Sequence, residues 1–190
     1  ENLFCCAAES GNIQMMELCL QNDCPISPRV CKCAMMNKNK EAALNALKWL
    51  RRNSIPWDEG VCTEAAHNGN LEALKWAREN DCPWDISTFR YAVAHGDIEL
   101  LEYCFEHDCP SDSTLYEIAG QHNESNSFKV CQWLLQHSIP MDENTSYSAA
   151  FYWHLSTLKL VVDNGCPIHK HIFNLALSTT NLRVLDFMVK

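Results

Sequence analysis

Apolar residues recur along the chain in triplets at offsets 0, 3 and 5: Ile13, Met16 and Leu18; Leu44, Leu47 and Trp49; Leu71, Leu74 and Trp76; Ile98, Leu101 and Tyr103; Phe128, Cys131 and Trp133; Leu155, Leu158 and Leu160; Leu182, Leu185 and Phe187. These offsets fall on one broad side of a short α-helix, so each triplet predicts a helix with one buried face. Seven residues beyond each of the first six triplets stands a proline, at positions 25, 56, 83, 110, 140 and 167, spaced 31, 27, 27, 30 and 27 apart. Each follows Cys or Ile, preceded in turn by Asn-Asp, Asn-Ser, Asn-Asp, His-Asp, His-Ser or Asn-Gly. Those are turn residues able to end a helix.

A second column lies upstream. Ala7, Ala65, Ala92 and Ala149 stand eighteen residues before their prolines, and Ala176 follows by one more period. Placing the excess residues of the two longer units in 36–43 and 121–127 brings Ala34 and Ala119 into the column. A small residue there lets neighbouring helices approach closely. Gly11, Gly69 and Gly96 follow and suit a left-handed turn between two helices, because glycine takes positive φ without steric cost. The unit is therefore helix, Gly turn, helix, Asn/His-Asp-Cys-Pro turn. It recurs seven times, at about 1–27, 28–58, 59–85, 86–112, 113–142, 143–169 and 170–190. Leu and Ala outnumber Ile and Val, which favours helix over sheet. One helix pair is too short to bury its own apolar faces, so stacked neighbours must complete the core. The expectation is an all-α helical-hairpin solenoid, a single repeat array over residues 1–190. Because it begins at Glu1 rather than Met, it reads as a piece of a longer protein.

The segment from Ala65 through Trp76, Ala-Ala-His-Asn-Gly-Asn-Leu-Glu-Ala-Leu-Lys-Trp, resembles the stretch joining the two helices of an ankyrin repeat. The segment from Ala92 through Leu101 repeats it. Two departures stand out: the Thr-Pro-Leu-His opening is absent, and the period is 27 where ankyrin units run about 33 residues. The shorter period implies that the projecting β-hairpin fingers are cut to tight loops. The turns Cys82-Pro83-Trp84-Asp85 and Ile55-Pro56-Trp57-Asp58 are similar to those of divergent ankyrin arrays in protists and large DNA viruses. Tetratricopeptide, HEAT and leucine-rich patterns fit less well. The resemblance implies a protein-binding scaffold with no chemistry of its own; the alternative is a structural spacer inside a large assembly, holding other chains at fixed separation.

Charge narrows the partners. Fifteen basic against 24 acidic residues give −9, which disfavours nucleic acid and anionic membranes and suits a protein with a basic surface. Nor does any apolar run reach the ~20 residues of a membrane span. Twelve cysteines without a leading signal pattern suggest reduced thiols in the cytoplasm or nucleus.

In ankyrin arrays the residues after the small column, at the inter-helix turn, often contact partners. Here they include His67, Asn68 and His95, and in the sixth repeat Phe151, Tyr152 and Trp153, where sister repeats carry polar residues and Gly. The three aromatics are candidate interface anchors. The alternative is a remodelled turn whose rings fill a local gap. The polar insertions near Lys38 and Glu124 read as surface loops. No Cys-x-x-Cys pair occurs, so the cysteines read as small buried hydrophobes and no metal or other cofactor is expected. His107 and His137 sit at helix ends, where a cation suits the dipole. With no nucleophile held beside a base and no Gly-rich phosphate loop, the chain is not expected to be an enzyme.

Overall fold

The computed structural model describes residues 3–27, 29–152 and 154–189. Among them every regular element is an α-helix. The chain divides into two compact units, Glu1–Cys109 and Pro110–Lys190. The first holds four helix pairs: α1 (Leu3–Glu9) with α2 (Ile13–Gln21), α3 (Val30–Met35) with α4 (Lys40–Arg52), α5 (Gly60–His67) with α6 (Leu71–Glu79), and α7 (Ile86–His95) with α8 (Ile98–Glu106). The second holds three: α9 (Thr114–Ala119) with α10 (Glu124–Gln136), α11 (Glu143–Phe151) with α12 (Leu155–Asp163), and α13 (Ile172–Ser178) with α14 (Leu182–Met188). Within each unit the first helices pack on one another, α1–α3–α5–α7 and α9–α11–α13. None of the helices among the described residues is long and apolar enough to cross a membrane.

Both turns of the repeat are built the same way. At the end of the second helices a residue with positive φ closes the helix: Asp23, Ser54, Asp81, Asp108, Ser138 and Gly165. The next amide then reaches back five residues, as in Cys82 N to Ala77 O at 3.0 Å and Cys166 N to Val161 O at 3.0 Å, satisfying a carbonyl the helix leaves open. The Asn or His before it donates to another, Asn80 Nδ2 to Trp76 O at 2.8 Å and Asn164 Nδ2 to Leu160 O at 2.8 Å. His107 and His137 sit at this same position, within hydrogen-bond distance of Tyr103 O and Trp133 O. The inter-helix turns repeat the motif, with Gly11, Gly69 and Gly96 at positive φ as expected. Asn70 N donates to Ala65 O at 2.8 Å and Asn181 N to Ala176 O at 2.9 Å, so the alanine column also supplies the acceptor.

The buried face of the second helices is shifted from the triplets that predicted it. The middle member is buried (Met16, Leu47, Leu74, Leu101, Cys131, Leu158), and in all of these helices but α2 its companions are the residue just before it and the one three beyond, as with Ala73 and Ala77. Small side chains at those places bring the helices close. The aromatic third member lies along the stack, partly buried as Trp49 and Trp76 and buried as Tyr103 and Trp133. Trp76 meets Trp57 edge-on at 5.9 Å and Tyr103 meets Trp84 at 6.2 Å, while Arg51 and Arg78 lie 4.5 and 4.2 Å over Trp57 and Trp84. The tryptophan of the Pro-Trp-Asp turn thus takes a cation–π contact from the arginine of its own repeat and an edge-on ring contact from the next.

The excess residues of the longer units do not all emerge as loops. They extend α4 and α10 to 13 residues, against 9 in α2, α6, α8 and α12, close to one additional helical turn. Asn39 and Asn123 cap these extended helices by accepting from Ala42 N and Asn126 N.

The turn cysteines are more than small hydrophobes. Cys82 Sγ donates to Asp58 O at 3.4 Å, Cys109 Sγ to Asp85 O at 3.5 Å and Cys166 Sγ to Asp142 O at 3.2 Å, each joining one turn to the preceding one. The thiol fits a tight turn and supplies a weak donor for a carbonyl otherwise buried against the next repeat.

Candidate partner-binding site

Helix α11 inverts the usual distribution of side chains. It starts from a capping box, with Asp142 Oδ1 accepting from Thr145 N at 3.2 Å and Thr145 Oγ1 accepting from Asp142 N at 3.3 Å. Its buried residues are Thr145, Ser146, Ser148, Ala149 and Ala150, all small. The hydroxyls are satisfied within the stack: Ser146 Oγ donates to Pro167 O at 2.8 Å and Ser148 Oγ to Glu117 O at 3.2 Å. Gly120 makes room on the facing helix, since a Cβ there would stand 2.4 Å from Ser148 Oγ. With the inner face taken by small groups, the large aromatics point outward. Phe151 is 49% exposed and Tyr152 39%.

These rings form a cluster that the sequence identified only in part. Tyr147, one turn before Phe151, stacks with it at 6.1 Å, and Phe151 meets Tyr152 at 5.1 Å with planes 83° apart. His169 lies 4.9 Å from Tyr147 and extends the cluster to the next turn. Beside the rings opens a hollow of about 320 Å³ lined by Tyr147, Phe151 and Tyr152 and by Glu117, Gln121, Asn144 and Ser148. The i, i+4 spacing of Tyr147 and Phe151 was the available signal for the missed ring. Trp153, the third predicted aromatic, lies outside the described residues.

His154 follows, 6.2 Å from Tyr152, at the N-cap of α12. It caps nothing through its side chain, and its buried Nδ1 has no hydrogen-bond partner among the described residues. Burial holds its pKa below the usual histidine value despite the nearby Glu124 carboxylate. Glu124 is shifted down by the hydroxyl and backbone N–H of Ser156, which it accepts.

In the first unit the predicted rim residues divide. His67 is exposed, 3.3 Å from Glu64, and its ring lies 4.7 Å from that of Tyr91 at a tilt of 38°. His95 is exposed and lies against Gly69, where a Cβ would come within 2.4 Å of its Nε2. Asn68 is tied into the stack instead, donating to Met35 O at 2.8 Å and to Glu64 O at 3.2 Å. All twelve cysteines are free thiols, and among the described residues no three His, Cys, Asp or Glu side chains are placed to hold a metal ion. Burial pushes the Cys31 and Cys131 thiols up to about 12, away from the thiolate a nucleophile needs. No protein-family model and no curated protein matches the chain.

Proposed function

We propose that the chain is a non-catalytic protein-interaction module built from ankyrin-like helix pairs, docking its partner on the exposed aromatic cluster of α11. One observation carries this reading: α11 buries serine and threonine while holding Phe151 and Tyr152 in solvent beside an open hollow. Exposed aromatic faces on a rigid helix anchor interfaces at small entropic cost. The repeat pattern around the Ala-Ala-His-Asn-Gly turn supports the ankyrin assignment, and the free thiols suit a reducing compartment such as cytoplasm or nucleus.

The test is cross-linking capture from the native cell with wild type and the Phe151→Ala/Tyr152→Ala variant. Capture should fall at least tenfold while thermal unfolding is unchanged, because both side chains are outside the core. A second reading, a spacer in a larger assembly, draws on rim groups such as Asn68 that are engaged within the stack. It requires capture to survive the double change.

A further inference from the structure

We propose that Cys5 and Cys33 form an oxidation site, a thiol pair that peroxide converts to a disulfide joining the first helix pair to the second. Thiols meet through hydrogen bonds at Cys19 and Cys24, at Cys62 and Cys82, at Cys104 and Cys109, and at Cys5 and Cys33. The first three of these pairs each lie within one repeat and have at least one buried member. Cys5 stands on α1 and Cys33 on α3, and both are partly exposed, so an oxidant reaches either sulfur.

Their meeting follows from the register of the repeat. Helix α1 packs on α3. Cys5 stands two residues before Ala7 of the alanine column, and Cys33 one residue before Ala34. The same two positions meet again further along: Lys32 Nζ lies 3.3 Å from Glu64 Oε1, and Ser148 Oγ donates to Glu117 O at 3.2 Å. A serine side chain is no longer than that of cysteine, so these positions face each other within reach of short side chains. Cys6, beside Cys5, is exposed and belongs to the column of Cys33 itself, whose members Glu64 and Ser148 turn toward the preceding repeat.

Burial and the bond to Cys5 hold the proton on Cys33, pushing its pKa up to about 12, so Cys5 is the sulfur that reacts first. Its thiolate attacks one oxygen of hydrogen peroxide: the S–O bond forms, the O–O bond breaks, and the released hydroxide takes up a proton as water. The Cys33 sulfur then attacks the Cys5 sulfenic acid. The S–S bond forms, the S–O bond breaks, and the hydroxyl leaves with the Cys33 proton as a second water. The two sulfurs lose two electrons in all, and the peroxide oxygens gain them. A thiol reductant reverses the bridge, so in a reducing compartment the pair rests as two thiols. Once formed, the bridge ties α1 to α3 and restrains the first two helix pairs from separating.

The test treats the reduced full chain with hydrogen peroxide, alkylates the remaining thiols, digests the monomer fraction without reductant and locates each bridge by tandem mass spectrometry. A Cys5–Cys33 bridge should form ahead of any other and disappear with dithiothreitol. A Cys6–Cys33 bridge in its place overturns the inference. So does finding Cys5 and Cys33 still alkylated once the buried Cys62 and Cys82 have been oxidised. Cys33→Ser removes the resolving thiol, so trapping of the Cys5 sulfenic acid by dimedone should rise about tenfold over wild type. Trapping that stays at the wild-type level overturns the inference as well. The bridge map uses the wild-type chain, so it decides the matter even if the variant misfolds.

Discussion

Asn70 caps one helix and joins it to another helix pair through a single side chain. It is 4% exposed, and its two side-chain atoms do different work. Oδ1 accepts from Ala73 N at 3.2 Å and caps α6, while Nδ2 donates to Lys40 O at 3.0 Å and joins α6 to the start of α4. Lys40 returns the contact, its Nζ donating to Gly69 O at 2.8 Å. Replacing Asn70 by Ala removes a cap, about 1 kcal/mol, and a cross-pair hydrogen bond, about 1 kcal/mol more, for a total near 2 kcal/mol. Two comparisons separate the terms. Asn12 caps α2 through Met15 N alone and is exposed, so Asn12→Ala should cost about 1 kcal/mol. Asn70→Ser retains a capping oxygen but is too short to reach Lys40 O, so it should also cost about 1 kcal/mol. Urea unfolding followed by circular dichroism at neutral pH measures all three. The reasoning fails if Asn70→Ala costs no more than Asn12→Ala, or if Asn70→Ser is as damaging as Asn70→Ala.

Three further outcomes follow from the geometry. Thr180 holds φ 53° at the position of Gly69 and Gly96, a strained place for a β-branched residue. Thr180→Gly should therefore stabilise by about 0.5–1 kcal/mol after glycine's own entropy is counted, seen as a raised melting temperature. His154 has its folded pKa depressed below the ordinary 6.5, so the unfolded chain takes the proton first. Stability is then full above 6.5 and falls as pH drops below it, visible in urea midpoints between about pH 7.5 and 5.5. His154→Asn should flatten that dependence and add a cap like the one Asn181 gives Val184 N. Finally, native alkylation read by mass spectrometry should modify Cys6 first and Cys5, Cys24 and Cys33 more slowly. The eight buried thiols should be spared until the chain unfolds, and early labelling of Cys82 or Cys109 would contradict their packing.

The repeat was legible because its punctuation is chemical. Proline, glycine and the Asn/His-Asp-Cys step each have a local reason to end a helix, and the structure places left-handed residues at Gly11, Gly69 and Gly96 where that reasoning put them. The Asn/His column could have been read further. Both residues hold a donor at the reach of the carbonyl four residues back, which is how Asn53, Asn80, His107 and His137 are used. What lay beyond the sequence depends on the register between helices. The triplets set the period but misplaced the core face, since Ala73 and Ala77 become buried only when a neighbouring helix arrives. The thiol of Cys82 finds Asp58 O only because the turns of successive repeats lie side by side.

The same register explains why the candidate site is where it is. At the inter-helix turn of the first unit, Asn68 holds Met35 O and His95 covers Gly69, so those side chains serve the stack. The matching positions in the first pair are Glu9 and Ser10, both exposed, so the fold accepts polar groups there. Phe151 and Tyr152 occupy those places in the sixth pair, and their ring contacts are with Tyr147, with each other and with His154. Leaving two such rings half in water forgoes the roughly 25 cal/mol per Å² that burial would return, and the stack does not need them to close. A position that carries serine in the first pair thus carries a large, half-exposed ring here beside a hollow, and on that feature the proposed docking surface rests.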